Sequence, residues 1–172
     1  MEKVVIGLIV LAIILQSSAI ADNHWTTMKL PKSDLLDEGD VYFGMWKGCL
    51  KIQDQEKCET VTMDNMSPSQ KNALSFVRIV SILSVLLLAG ALICMFVNKK
   101  LVVGMLITSI LLSISAAVGW STNKDLCPPD VKYDRSFYMN VLGYVVAIAG
   151  LLVLRGVKDV KDIRSVFAFL KL

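Results

Sequence analysis

Four apolar segments constrain this chain more than anything else in it: "VVIGLIVLAIILQSSAIA" (Val4 to Ala21), "FVRIVSILSVLLLAGALICMFV" (Phe76 to Val97), "LVVGMLITSILLSISAAVGW" (Leu101 to Trp120) and "FYMNVLGYVVAIAGLLVL" (Phe137 to Leu154). Each comes close to the ~20 residues that cross ~30 Å of hydrocarbon at 1.5 Å per residue. Lipid offers no water to backbone N–H and C=O groups, so such segments are expected to be helices, which satisfy those groups internally. With 55% hydrophobic and 19% charged residues over 172 positions, the composition is that of a multi-pass membrane protein, mainly α, and not of a soluble domain.

The short connections set the expected orientation, because lysine and arginine are retained on the cytoplasmic side. They gather in the turn "NKK" (Asn98 to Lys100) and in the tail 155–172, where Arg155, Lys158, Lys161, Arg164 and Lys171 outnumber Asp159 and Asp162. Both termini are therefore expected in the cytoplasm, with loops 22–75 and 121–136 outside. The formal charge of +3 is a topology signal and no argument for nucleic acid. The first segment also fits a secretory leader, with Ala19 and Ala21 in the small-residue pattern before Asp22. Its length favours a retained span, and cleavage would leave the other helices oriented as before. No internal repeat or low-complexity stretch divides the sequence, which reads as one membrane domain over residues 1–172.

The compartment decides how the cysteines are read. Cys49 and Cys58 fall in the large outer loop, where an oxidising environment favours a disulfide over a thiolate metal site or a redox pair. Closing so short a loop contributes ~2–3 kcal/mol in the loop-entropy picture. Cys94, inside the second helix, is expected to stay reduced, and Cys127 in the second loop is left over. The single histidine, His24, has no carboxylate or cysteine at ligand spacing, so no metal or other cofactor is expected. No Ser/His/Asp grouping and no phosphate-cradling glycine loop is present either, which points away from an enzyme. Around the cysteines "HWTTMKL", "DVYFGMWKGCLKI" and "KCETVTM" are rich in aromatic and β-branched residues and predict a small antiparallel sheet. Trp25 and Trp46 are expected where that sheet meets the bilayer. Small residues, among them Ser81, Ser84, Ser109, Ser113, Gly143 and Ala147, recur in helices two to four and permit close packing.

Trp25, then Gly44-Met45-Trp46 with Cys49 three residues on, and then Cys58, resemble the claudin signature W...GLW..C...C, with Met45 in place of the usual leucine. Arg78, a few residues inside the second apolar segment, resembles the claudin arginine that closes the first loop against the helices. The resemblance covers the whole chain in architecture: four spans, a long first loop, a short second loop and a brief tail. The wider superfamily includes the peripheral myelin protein, the epithelial membrane proteins, the lens fibre intrinsic protein and the calcium-channel gamma subunits. The length of the first loop is nearer to claudins, whereas "RSFYMNVLGYVVAIAG" is similar to the lens and epithelial membrane proteins, and Cys127 is not a claudin feature. Tetraspanins and connexins differ in the placement or number of their loop cysteines.

The resemblance implies a left-handed four-transmembrane-helix bundle with a small extracellular sheet formed mostly by the first loop. It also implies a plasma-membrane protein of cell–cell junctions that assembles with itself in cis and in trans across contacts, and with related four-helix membrane proteins. Such an assembly forms a paracellular barrier or a cation-preferring pore. Between Asp22 and Lys71 nine acidic residues face six lysines, a net of three negative charges, and Glu59 occupies the position that resembles the selectivity residue of pore-forming claudins. The alternative is an organiser, adhesion protein or auxiliary subunit of another membrane protein, as in the other branches. Three minor features complete the reading. Asn65-Met66-Ser67 matches the glycosylation sequon, the end Leu170-Lys171-Leu172 weakly resembles a PDZ-scaffold ligand, and Val157, Val160, Ile163, Val166 and Leu170 space an apolar stripe for an interfacial amphipathic helix on membrane lipid or for a continuation of the fourth helix.

Overall fold

The structure, a computed structural model, describes residues 2–30, 39–52, 55–62, 64, 66–123 and 131–156. Cys127, Asn65, the end Leu170-Lys171-Leu172 and the apolar stripe of the tail lie outside them. Four helices form where four apolar segments were expected: α1 Glu2–Ala21, α2 Pro68–Cys94, α3 Lys99–Thr122 and α4 Arg135–Leu154. All are long and apolar enough to cross a membrane. Helix α1 packs against α4 and α2, and α3 packs against α2 and α4.

The start of α2 corrects the sequence expectation. Hydropathy alone begins this helix at Phe76, but it starts at Pro68, because Ser67-Pro68-Ser69-Gln70 is a complete capping box. Gln70 N–H donates to Ser67 Oγ at 3.2 Å, and Ser67 N–H donates to Gln70 Oε1 at 3.0 Å. Proline at the first helical position costs nothing, since its missing donor would be unpaired there anyway. The turn into α3 is set the same way. Asn98 caps α3 by accepting from Lys100 N–H and Leu101 N–H, so α3 starts at Lys99, and with α2 ending at Cys94 the break falls at residues 95–98, earlier than the 98–100 that hydropathy suggests.

Five strands form one antiparallel sheet in the order β4-β3-β2-β1-β5: β1 Thr26–Leu30, β2 Gly39–Phe43, β3 Lys47–Ile52, β4 Gln55–Thr60 and β5 Lys132–Tyr133. The stretch expected to be one long strand from Asp40 to Ile52 is two. It breaks at Gly44-Met45-Trp46, where Gly44 N–H turns back to the Lys47 carbonyl at 3.0 Å. Cys49 and Cys58 are directly opposite in the β3–β4 register and form the expected disulfide. Strand β5 was not anticipated. It comes from the second loop and pairs Tyr133 with Thr26 and Lys132 with Thr27, so both loops contribute to one sheet.

The helices invert the polarity of a water-soluble protein. Ile79, Leu86, Ile93, Leu142 and Ile14 are exposed, while Gln16, Ser84, Ser109, Ser113 and Asn140 are buried. These buried polar residues form one layer. Ser84 Oγ donates to Gln16 Oε1 at 2.9 Å and lies 2.8 Å from Ser109 Oγ and 2.7 Å from Ser113 Oγ. Asn140 Nδ2 donates to the Ser113 carbonyl at 3.4 Å. All four helices thus meet through hydrogen bonds at one level. On one side of it lies an apolar cluster with Val5, Ile9, Leu88, Val102, Leu106 and Leu151, and on the sheet side lies another with Ala19, Trp25, Met45, Leu74, Val77 and Trp120. In hydrocarbon an interhelical hydrogen bond of this kind contributes about 0.6–2 kcal/mol.

Gly143 allows the layer to close. A Cβ there would stand 2.6 Å from Gln16 Cγ, well inside contact distance, whereas a Cβ at Gly7 would meet nothing within 4 Å. Gly143→Val should therefore destabilise the helix packing by about 1–3 kcal/mol, while Gly7→Ala should be neutral or stabilising by up to about 1 kcal/mol. Thermal unfolding in detergent, followed by helical circular dichroism, measures both. Equal behaviour of the two variants would show that α1 and α4 do not approach this closely.

Candidate functional site

The expected signature residues are scattered over Trp25 to Arg78 in sequence, and the structure brings Trp25, Gly44, Met45, Trp46 and Arg78 together around the end of α1, while Cys49 and Cys58 pair across β3 and β4. A helix leaves its last four carbonyls without intrahelical donors. Here Ser18 O accepts from Asp22 N–H at 2.9 Å, and two indoles serve the next carbonyls. Trp25 Nε1 donates to Ala19 O at 2.7 Å, and Trp46 Nε1 donates to Ile20 O at 3.0 Å. The tryptophans are thus helix caps. Trp25 is fully buried, packed 5.1 Å from Trp120 and edge-on to Phe137 at 6.2 Å, so its ring faces protein and not the lipid headgroups.

Arg78 completes the arrangement from α2. Its Nε donates to the Met45 carbonyl at 2.8 Å, and its Nη2 donates to the same oxygen. The guanidinium carbon also lies 4.6 Å from the centroid of the Trp46 ring. The group in the first loop that Arg78 holds is thus a backbone carbonyl. Met45 itself is buried, which fixes the turn under the sheet. Gly44 is needed by close approach: a Cβ would fall 2.4 Å from the Asn23 Cα, so any larger residue pushes the β2–β3 turn away from the segment after α1. Trp25 N–H to Phe43 O at 3.0 Å and Val61 N–H to Trp46 O at 2.8 Å continue the contact on either side.

A second tie, which sequence reasoning missed, joins the first loop to α4. Arg135 Nε donates to Asp22 Oδ2 at 2.6 Å and Arg135 Nη2 donates to Asp22 Oδ1 at 3.1 Å. His24 Nδ1 lies 2.9 Å from Asp22 Oδ1 and 2.9 Å from Arg135 Nη2. The sequence reading left His24 with no carboxylate at useful spacing. The turn after α1 corrects this by placing residues 22 and 24 on one side. The backbone reinforces the tie, with Asp134 N–H donating to Trp25 O and Ser136 N–H to His24 O, both at 3.0 Å. Burial disfavours the charged form of Asp22, but the hydrogen bonds with Arg135 and His24 outweigh it and hold the carboxyl well below the usual carboxylate range. The available signal was Asp134 before Arg135-Ser136, a helix N-cap whose side chain accepts from Arg135 N–H.

Among the described residues, the opposite edge of the sheet makes no such side-chain tie to the helices. Every residue of β4 is exposed, and it is the terminal strand beyond β3. Glu59 stands on this edge, and its Oε1 lies 3.2 Å from Lys57 Nζ, with side chains 78% and 81% exposed. At that exposure the pair contributes little to stability, but it places a cation beside the expected selectivity residue. Glu56 is close to the Cys58 sulfur as well, but both cysteine sulfurs are committed to the disulfide and offer no thiolate to a metal. The residue groups joined here have geometry for holding and presenting a surface.

No protein-family model matches the chain, and a comparison with curated proteins finds no match.

Replacing Arg78 by alanine removes both donors from a carbonyl beneath the sheet and should lower stability by about 1–3 kcal/mol. Arg78→Lys should recover only part, because an ammonium supplies neither the fork nor the flat stacking face. Unfolding in detergent measures the loss, and non-reducing peptide mapping should still show Cys49 joined to Cys58. A second expectation concerns acid. The folded Asp22 carboxyl titrates below its unfolded value, so its contribution is full above about pH 4 and is lost as the pH falls through the folded value. Asp22→Asn should be less stable at neutral pH and show a shallower decline in acid. Parallel acid curves for the two proteins would remove Asp22 from the account.

Proposed function

We propose that this protein is a claudin-like cell–cell contact protein. In this reading a left-handed bundle of four helices crosses the plasma membrane with both termini in the cytoplasm, and the sheet stands outside. One observation carries the proposal. Trp25, Gly44, Met45, Trp46 and Arg78 converge on the carbonyls at the end of α1 and beneath the sheet, and so fix a disulfide-stapled sheet rigidly to the helix ends. A surface held this way transmits its position to neighbours, as lateral assembly requires. Orientation is supported by the far end of the helices, where Lys3, Lys99, Lys100 and Arg155 outnumber Glu2, as expected for the cytoplasmic face.

Lateral copies in one membrane present the β4 edges as an acidic and basic row toward the gap between cells. The net negative charge of the first loop favours cations there, since charges in a narrow aqueous gap are poorly screened within a Debye length of about 8 Å. Lys57 opposes this locally by standing beside Glu59.

Expression in cells that lack junctional strands tests the assembly. Strands at cell borders in freeze-fracture images are the expected result. A diffuse membrane signal with a co-purifying channel or receptor would instead support the organiser reading. For permeation, dilution potentials across an epithelial layer at matched surface levels should show a lower sodium-over-chloride preference for Glu59→Gln and a higher one for Lys57→Gln, with Asp40→Asn closer to wild type. Shifts of the same sign for Glu59→Gln and Lys57→Gln would sink the local-charge account.

A further inference from the structure

At the end of the helices opposite the sheet, a cleft of about 530 Å³ opens between the start of α1, the start of α3 and the end of α4, lined by Glu2, Lys3, Val5, Lys99, Val153, Leu154 and Gly156. Its size is within the range of small-ligand sites. The lining is divided by chemistry. Val5, Val153 and Leu154 give it an apolar wall, and Lys3, Lys99 and Glu2 give it a charged mouth. Neither the disulfide-stapled sheet nor the clamp at the end of α1 uses this region.

The charges at the mouth are unequal. Lys99 Nζ lies 2.7 Å from Glu2 Oε1, and both side chains are about two-thirds exposed, so that pair is accessible and held only weakly. Lys3 has no ion-pair partner among the described residues. Lys100 and Arg155 stand next in sequence to lining residues and add to the positive field. Val4 and Leu101, on the same helix turns as the lining residues Val5 and Lys99, are 56% and 49% exposed apolar side chains, so the helix surface at this end is compatible with hydrocarbon. An apolar wall under a cationic mouth, at the edge of the spanning segments, matches a ligand with an anionic head and an apolar body.

We propose that this cleft binds the phosphate-bearing headgroup of an anionic phospholipid, with Lys3 and Lys99 on the phosphate and Val5, Val153 and Leu154 against the glycerol and upper acyl chain. Basic pockets between spanning helices bind such headgroups by this combination of charge and depth. Glu2 sets the affinity by competing with the phosphate for Lys99. The inference rests on the reading that the four helices cross a bilayer. It does not depend on which end faces the cytoplasm.

The test uses the full chain in nanodiscs whose two leaflets have the same mixture of a phosphate-monoester lipid and phosphatidylcholine, with bound lipid counted by native mass spectrometry. The expected result is enrichment of the anionic lipid, reduced roughly fivefold by Lys3→Gln, from about 1 kcal/mol for each basic side chain near a charged headgroup. Lys99→Gln should reduce it at least as much, since it also leaves Glu2 unpaired. Glu2→Gln should increase it, and Lys47→Gln on the sheet should leave it unchanged. Displacement by millimolar inorganic phosphate would assign the site to the free anion and overturn the lipid assignment. Loss of enrichment on neutralising Lys158, Lys161 and Arg164, with no effect of Lys3→Gln or Lys99→Gln, would place binding on the tail and overturn the cleft. A chain that incorporates into discs but enriches nothing refutes this inference alone. A chain that fails to incorporate refutes the membrane reading with it.

Discussion

The carbonyl groups at the end of α1 and in the β2–β3 turn need donors in a place where water is scarce, and the rest of the outer structure follows from how they are satisfied. Trp25, Trp46 and Arg78 all donate to backbone oxygens. Each donor arrives from a different part of the chain, so a local backbone requirement becomes a tertiary lock. The sheet cannot tilt without breaking bonds to α1, and α2 cannot shift without dragging the β2–β3 turn. Side chains with a single flat donor-bearing group suit this task because they combine a hydrogen bond with a large apolar face.

Much of the fold was legible because the signals concerned are long or strongly typed. Helices in hydrocarbon need about twenty apolar residues, and two cysteines nine apart in sequence face each other across a two-stranded turn. The parts that escaped are those in which a short polar motif overrides hydropathy. Ser67 and Gln70 start α2 upstream of its apolar stretch, and Gly44 breaks a continuous strand pattern through contact with Asn23, a constraint that exists only once the chain has folded. The tie between Asp22, His24 and Arg135 joins residues more than a hundred positions apart. No local pattern reveals it. Likewise the serines of α2 and α3 read as small packing residues, while Gln16 and Asn140, the amides in the first and fourth apolar segments, were the available clue that they form a hydrogen-bonded layer.

The two edges of the sheet divide its roles. The β5 side is bonded to the helices through the second loop, so it is committed to the protein's own stability. The β4 side is open, charged and stapled to β3 by the disulfide. An open strand edge is a ready template for pairing with another chain, and charged residues along it limit which partners are accepted. In the proposed reading, this arrangement would let partner choice vary through β4 with little effect on how the sheet is anchored.

The hydrogen-bonded layer at Gln16, Ser84, Ser109, Ser113 and Asn140 separates two apolar clusters that share no buried residue. Substitutions at the far ends of the two clusters, away from the shared layer, are expected to add nearly independently. The molecule is then energetically a two-storey building. The storey beneath the sheet holds the aromatic residues and the clamp, and the storey at the opposite end holds aliphatic packing and the lysine-bordered cleft. Sequence change far out in one storey falls chiefly on that storey's own packing, so the two ends of the same four helices can vary separately.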